Sequence, residues 1–151
     1  MRAPQFMRNT EKRQIEFMVP AIPIAQPRAR ATSMGGHARV YEPKDHPIAT
    51  FKANVRMAAA NAFSGAPLAG PLRVDCLFVF PRPKALVWSK REMPRVRHVK
   101  KPDNDNLLKA CCDALNGLLW QDDCQACEMV ATKWIAAGDE QPHVLIRVTE
   151  L

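Results

Sequence analysis

The sequence predicts a small α/β (α+β) domain, a mixed sheet with two helices packed on one face, in the order β-α-β-α-β-β. Three observations predict it. Apolar and polar residues alternate over 72–80 and 144–148, the period of half-buried strands. Apolar residues recur at helical spacing over 48–59 and 107–115. Connectors rich in Gly, Pro and Ser separate these runs. At 151 residues, with 47% apolar and 25% charged side chains, the chain suits one domain with one core.

Residues 1–13 are polar and aperiodic and are expected to form a flexible arm ahead of a single domain over 14–151. Ile15, Phe17 and Val19 mark a first strand, ended by Pro20 and Pro23. Residues 25–43 hold two prolines, Gly35-Gly36 and Arg28, Arg30 and Arg39, and read as a long basic loop. A helix is expected from about Asp45 to Phe63, with Asp45 as N-cap or first-turn residue and Ile48, Phe51, Val55 and Ala59 facing the core. Lys52 and Arg56 share another face. After the connector 64–71, Leu72, Val74, Cys76, Phe78 and Phe80 form the clearest strand, stopped by Pro81. Residues 81–101 carry eight Lys/Arg around an isolated Trp88 and read as a basic flexible flap. A second helix should run from Asp103 to Asn116, with Gly117 as its stop and Leu107, Leu108, Cys111, Cys112 and Leu115 as its buried stripe. Strands from Cys124 to Ile135 and over Val144–Val148 complete the sheet.

The second helix region departs from the rest of the chain. The protein carries a net charge of +7, yet Asp103, Asp105, Asp113, Asp122 and Asp123 fall within 21 residues directly behind the basic flap. Carboxylates hold hard divalent ions and Lys/Arg hold a polyanion, the pairing that metal-assisted cutting of nucleic acid requires. Acidic residues are also common at helix starts, where free N–H groups and the dipole favour them. Three features favour the chemical reading for Asp103 and Asp105. Lys109 stands one turn beyond Asp105 on the same face. Asp122-Asp123 follows the helix and could be returned alongside it by the next strand. The flap delivers Lys100 and Lys101 beside the acids. Asp122 reads as a turn residue or outer contact, with direct metal contact as the alternative, and Asp113 as a structural helix residue paired with Lys109. Arg28 and Arg30 are candidate phosphate contacts or a solvated loop; Lys133 either reaches phosphate or is simply exposed. Trp88 could stack on a base or pack on its own domain.

At these residues the sequence resembles the RusA family of Holliday junction resolvases, small endodeoxyribonucleases of phages and prophages. The shared pattern is Asp-x-Asp-Asn-Leu-x-Lys-Ala, then Asp-Ala-Leu-Asn-Gly, then Asp-Asp-x-Gln and a later Lys. Here these are Asp103 to Ala110, Asp113 to Gly117, Asp122 to Gln125, and Lys133. Weaker similarity reaches Gln26-Pro27-Arg28-Ala29-Arg30 and Tyr41. The resemblance implies that Asp103, Asp105 and Asp123 bind the metal and that Lys109 is the catalytic lysine. It also implies a homodimer that nicks opposed strands of four-way junction DNA in recombination and repair. Mg2+ is the expected cofactor, with Mn2+ able to substitute.

Other classes are disfavoured. No apolar run reaches the roughly 18 residues of a membrane span, and the N-terminus lacks an apolar signal core, so a cytoplasmic protein is expected; the resemblance adds nucleoid association and a bacterial or prophage origin. Five cysteines, two of them adjacent, suit a reducing compartment. Cys124-x-x-Cys127 is half a zinc knuckle, but Cys111 and Cys112 would point about 100° apart on a helix, so no zinc is expected. The rival reading is a DNA- or junction-binding protein without catalysis, with the basic surface as its working part.

Overall fold

The structure is a computed structural model that describes residues 12–28, 30–34, 36–41 and 45–151, with only the backbone described at 30–34 and 37–41. The arm expected at the N-terminus lies outside the described residues as far as residue 11, as do the side chains of Arg30 and Tyr41. Strand β1 (Gln14–Val19) leads through a loop to the hairpin β2 (Arg30–Met34) and β3 (His37–Tyr41), then to helix α1 (Ile48–Ala62) and strand β4 (Leu72–Phe80). A two-residue strand, β5 (Val96–Arg97), precedes helix α2 (Asn104–Leu115); β6 (Ala126–Ile135) and β7 (His143–Glu150) follow.

The main sheet has the order β1-β7-β4-β6-β5. The β4–β6 pair is parallel and the others are antiparallel, so the sheet is mixed as predicted. Alternation decides its two faces. Phe17 and Val19 of β1, Val74, Cys76 and Phe78 of β4, and Val144, Ile146 and Val148 of β7 share one buried cluster with Phe51 and Val55 of α1 and Leu107, Cys111 and Leu115 of α2. Both helices therefore lie on the same face. Each large side chain of that cluster contributes about 1.5–3 kcal/mol on burial. The opposite face carries Met18, Leu77, Val130 and Leu145, of which Met18 and Val130 are exposed.

Two expectations need correction. The long basic loop contains the β2–β3 hairpin, closed by pairing of Met34 with His37. The Gly35-Gly36 pair was a two-residue hairpin signal, and Gly36 takes a left-handed φ of 79°. Each strand is only five residues long, too short a run for its apolar positions to stand out. Helix α1 begins at Ile48, and Asp45 is not its cap but sits at φ 69°. His46 Nδ1 accepts the Ile48 N–H at 3.2 Å and serves the free N-terminal donor instead.

Segment 81–101 is tied at several points. Arg82 donates to the carbonyls of Leu86, Pro94 and Ala136 at 2.7–3.1 Å. Arg95 pairs with Glu140, and the Gly138 N–H donates to the Met93 carbonyl at 2.9 Å. The guanidinium groups of Arg82 and Arg91 lie over the Trp88 ring, 4.9 and 3.7 Å from its centroid. Packing on its own segment is the arrangement this structure shows.

Candidate active site

Helix α2 starts where the acids are. Asp103 occupies the N-cap position, but its carboxylate makes no capping hydrogen bond. Only its backbone carbonyl acts in the helix, accepting from the Leu107 N–H at 3.2 Å. Asp105 follows in the first turn. Both side chains are exposed, and neither forms an ion pair among the described residues. An acid serving as a cap would spend an oxygen on the N2 or N3 amide. Neither does, so two carboxylates remain open at the positive end of a helix.

The neighbours of Asp103 are held to β6 on both sides. Asn104 Nδ2 donates to the Ala131 carbonyl at 3.2 Å. Lys133 Nζ donates to the carbonyls of Lys100 and Pro102 at 2.6 and 2.7 Å. The loop before β2 joins here too, because the Gln26 N–H donates to the Asn106 carbonyl at 2.9 Å. That bond brings the Gln26-Pro27-Arg28 segment to the first turn of α2, with Arg28 exposed. Lys100 and Lys101 are exposed immediately ahead of Asp103.

One turn beyond Asp105, Lys109 pairs with Asp113 at 3.4 Å, the pairing expected for Asp113, and Lys52 of α1 approaches the same carboxylate at 3.9 Å. Arg56 of α1 donates to the carbonyls of Ala114 and Asn116 at 2.8 and 3.1 Å. It thereby serves the free carbonyls where α2 ends with no basic residue in its own last turn. The corner after the helix is then locked from within. Trp120, fully buried, donates Nε1–H to Asn116 Oδ1 at 2.6 Å, and the Gly117 N–H donates to the Trp120 carbonyl at 2.7 Å with Gly117 at φ 77°.

Asp123 opens a single 3-10 turn, Asp123–Gln125, built as a capping box. Asp122 accepts from the Cys124 N–H, and Gln125 Oε1 accepts from the amides of Gln121 and Asp122 at 3.0 and 3.3 Å. Gln125 also donates to the carbonyls of Leu68 and Gly70. Asp122 is thus a turn residue in fact. The Asp123 carboxyl, half-buried, is held above the ordinary carboxylate range by its hydrogen bond with Asp122, then by burial and by the charges of Asp122 and Asp113, with Lys109 opposing. Asp122 is lowered by the same hydrogen bond and by the Cys124 amide.

The cysteines belong to the scaffold. Cys76, Cys111 and Cys112 are buried, while Cys124 and Cys127 are exposed. Burial first, then the charges of Cys76, Asp123 and Asp113, push the Cys112 thiol up to about 12, far from the thiolate a reactive cysteine needs.

With this geometry in place, the comparisons with known proteins become informative. The model of the family described as Endodeoxyribonuclease RusA matches residues 20–149. The chain belongs to the RusA endodeoxyribonuclease family. It is also 30% identical over 142 residues to the "Uncharacterized protein YqaN" of Bacillus subtilis (strain 168), covering 91% of this chain and 96% of that protein. RusA membership brings with it an endonuclease activity, directed in this family at Holliday junctions. No helix among the described residues is long and apolar enough to cross a membrane.

In this RusA chain the motif splits by task. Asn116, Gly117 and Gln125 shape the corner that carries Asp123, while Asp103, Asp105 and Lys109 line the exposed side of α2. The donor chemistry suits a hard divalent cation, since exposed carboxylate oxygens are what Mg2+ takes. The spacing is looser than one coordination sphere, because no three acids, His or Cys among the described residues stand together around a single ion. The structure groups Asp123 with Lys109 and Asp113, and sets Asp103 and Asp105 at the helix start. Sequence reasoning missed three supporting residues: Arg56, Trp120 and His46. Only the capping box Asp122-x-x-Gln125 had a signal that could have been read directly.

Proposed function

We propose that this protein is a Mg2+-dependent endodeoxyribonuclease that resolves four-way junctions by paired cuts in DNA recombination and repair, acting as a homodimer. The observation that carries the reading is the pair of uncommitted carboxylates, Asp103 and Asp105, held open at the start of α2. Asp103 and Asp105 would hold the ion, with Asp123 as the third candidate. When bound, the ion supplies charge neutralisation at phosphorus and an activated water. Lys109, exposed one turn along the helix, would steady the phosphate or the departing oxygen. Arg28, Arg30, Lys100 and Lys101 would hold the DNA backbone beside the acids. The sheet face opposite the helices, with Met18, Leu77, Val130 and Leu145, is the surface open to a second copy.

The test is cleavage of a synthetic four-way junction in Mg2+ by wild type and Asp105→Asn. The variant should bind the junction as wild type does and cut it about a hundredfold or more slowly, the scale of losing one charge-stabilising group. Cutting at the wild-type rate would remove Asp105 from the site. The spacing of the acids favours one alternative, a junction-binding protein without catalysis. Tight binding with no cutting in either Mg2+ or Mn2+ would select it.

A further inference from the structure

We propose that Lys133 is a positioning residue for Asp103 rather than a contact to DNA phosphate. The proposal rests on the nuclease reading above and concerns how its first acid is held. Lys133 lies on β6, in register with the buried Phe78 of β4, so its side chain leaves the sheet on the helix side. An ammonium has three donors. Two of them are committed to the carbonyls of Lys100 and Pro102, at 2.6 and 2.7 Å, the short distances of charge-assisted bonds. The backbone of the same residue acts on the same loop, since the Lys133 carbonyl accepts the His98 N–H at 3.2 Å. His98 in turn accepts the Lys100 N–H on Nδ1 at 3.3 Å and packs its ring against Phe80 at 4.6 Å.

Asp103 is the residue these bonds enclose. The residue before it, Pro102, is held by Lys133. The residue after it, Asn104, is held by the Ala131 carbonyl two positions earlier on the same strand. Its own carboxylate makes no capping bond. A carboxylate that must meet an ion while bonding nothing else needs its backbone fixed from outside, and β6 does this from both flanks. Two of the three Lys133 donors are spent on these carbonyls, so at most one is left to meet a phosphate. The neighbouring Lys100 and Lys101 are exposed and are the freer candidates for that contact.

The experiment compares wild type with Lys133→Met, which keeps the length of the side chain and removes donors and charge. Three quantities are read: junction affinity across a salt series without divalent metal, the cleavage rate of pre-bound junction in Mg2+, and amide exchange of the metal-free protein. The expected result is unchanged affinity and salt slope, a cleavage rate lower by about tenfold or more, the scale of losing an outer support of a metal ligand, and faster exchange at His98, Lys100 and the first turn of α2, with the β4–β6 ladder still protected. Weakened binding with a salt slope reduced by about one and unchanged exchange would make Lys133 a phosphate contact and overturn the proposal. Faster exchange through the whole sheet with full cleavage by the folded fraction would make it merely structural and overturn it as well. Wild-type protein that failed to cut would sink the nuclease reading alone, because the exchange comparison reads the tie without any cutting.

Discussion

Asp103 stands at a cap position without acting as a cap, and this separates its role from its place in the helix. A capping side chain is worth about 0.5–2 kcal/mol, and here that bond is not made. Asp103→Asn should therefore leave the thermal stability of the metal-free protein within about 0.5 kcal/mol of wild type, as exposed substitutions do. The same variant should lose the rise in midpoint that Mg2+ gives wild type. A ligand at a hundred times its dissociation constant stabilises the state it binds by about 2.7 kcal/mol, so calorimetry with and without Mg2+ reads the difference. An undiminished Mg2+ shift in Asp103→Asn would show that the ion is held elsewhere. At this scale Lys109 illustrates how neighbours were legible: its i, i+4 relation to Asp113 is a matter of spacing, and the 3.4 Å pair follows from it.

Among the elements, the basic segment 81–101 depends on a bond that titrates. Glu140 accepts from Arg95 and from the Ala137 N–H. The Arg95 hydrogen bond, with the amide and nearby positive charge, holds its carboxyl below the ordinary 4.5 despite partial burial. The folded pKa is depressed, so the unfolded chain binds more protons in the window below 4.5. The tie is fully present above that value and is lost as pH falls through the lower folded value. Amide exchange at Gly138, whose N–H is bonded to Met93, should accelerate below about pH 4.5 before the β4–β7 ladder opens. Equal protection at both sites throughout acid titration would contradict it. This pin was invisible in the sequence because Arg95 and Glu140 lie 45 residues apart. Arg56, serving the end of α2 from 58 residues away, was hidden for the same reason. By contrast, β4 and α2 were legible because their periods face one core. The β2–β3 hairpin has strands of five residues each, so its Gly-Gly turn was the clearer signal. Of the candidate site, the acids and Lys109 were legible as types at a spacing. The role of Lys133 was not, because backbone carbonyls, its acceptors, carry no signature in a sequence.

On the scale of the whole molecule, charge and topology pull in one direction. A chain of net charge +7 sets its most acidic stretch between the parallel neighbours β4 and β6, after the flap has touched the sheet edge once as β5. The same sheet order has a consequence for how the protein is made. Strands β1, β4 and β5 pair only with β6 or β7. Until residue 126 has emerged during synthesis, the main sheet consists of three strands with no pair among them, and the apolar run of β4 waits without either neighbour. A chain stopped at Gln141 should show no cooperative thermal transition, because β7 is what joins β1 to β4; a sharp transition in that fragment would contradict this. Nascent chains of this protein are thus exposed to aggregation for most of their growth, and the closing of the fold is left to its last two strands.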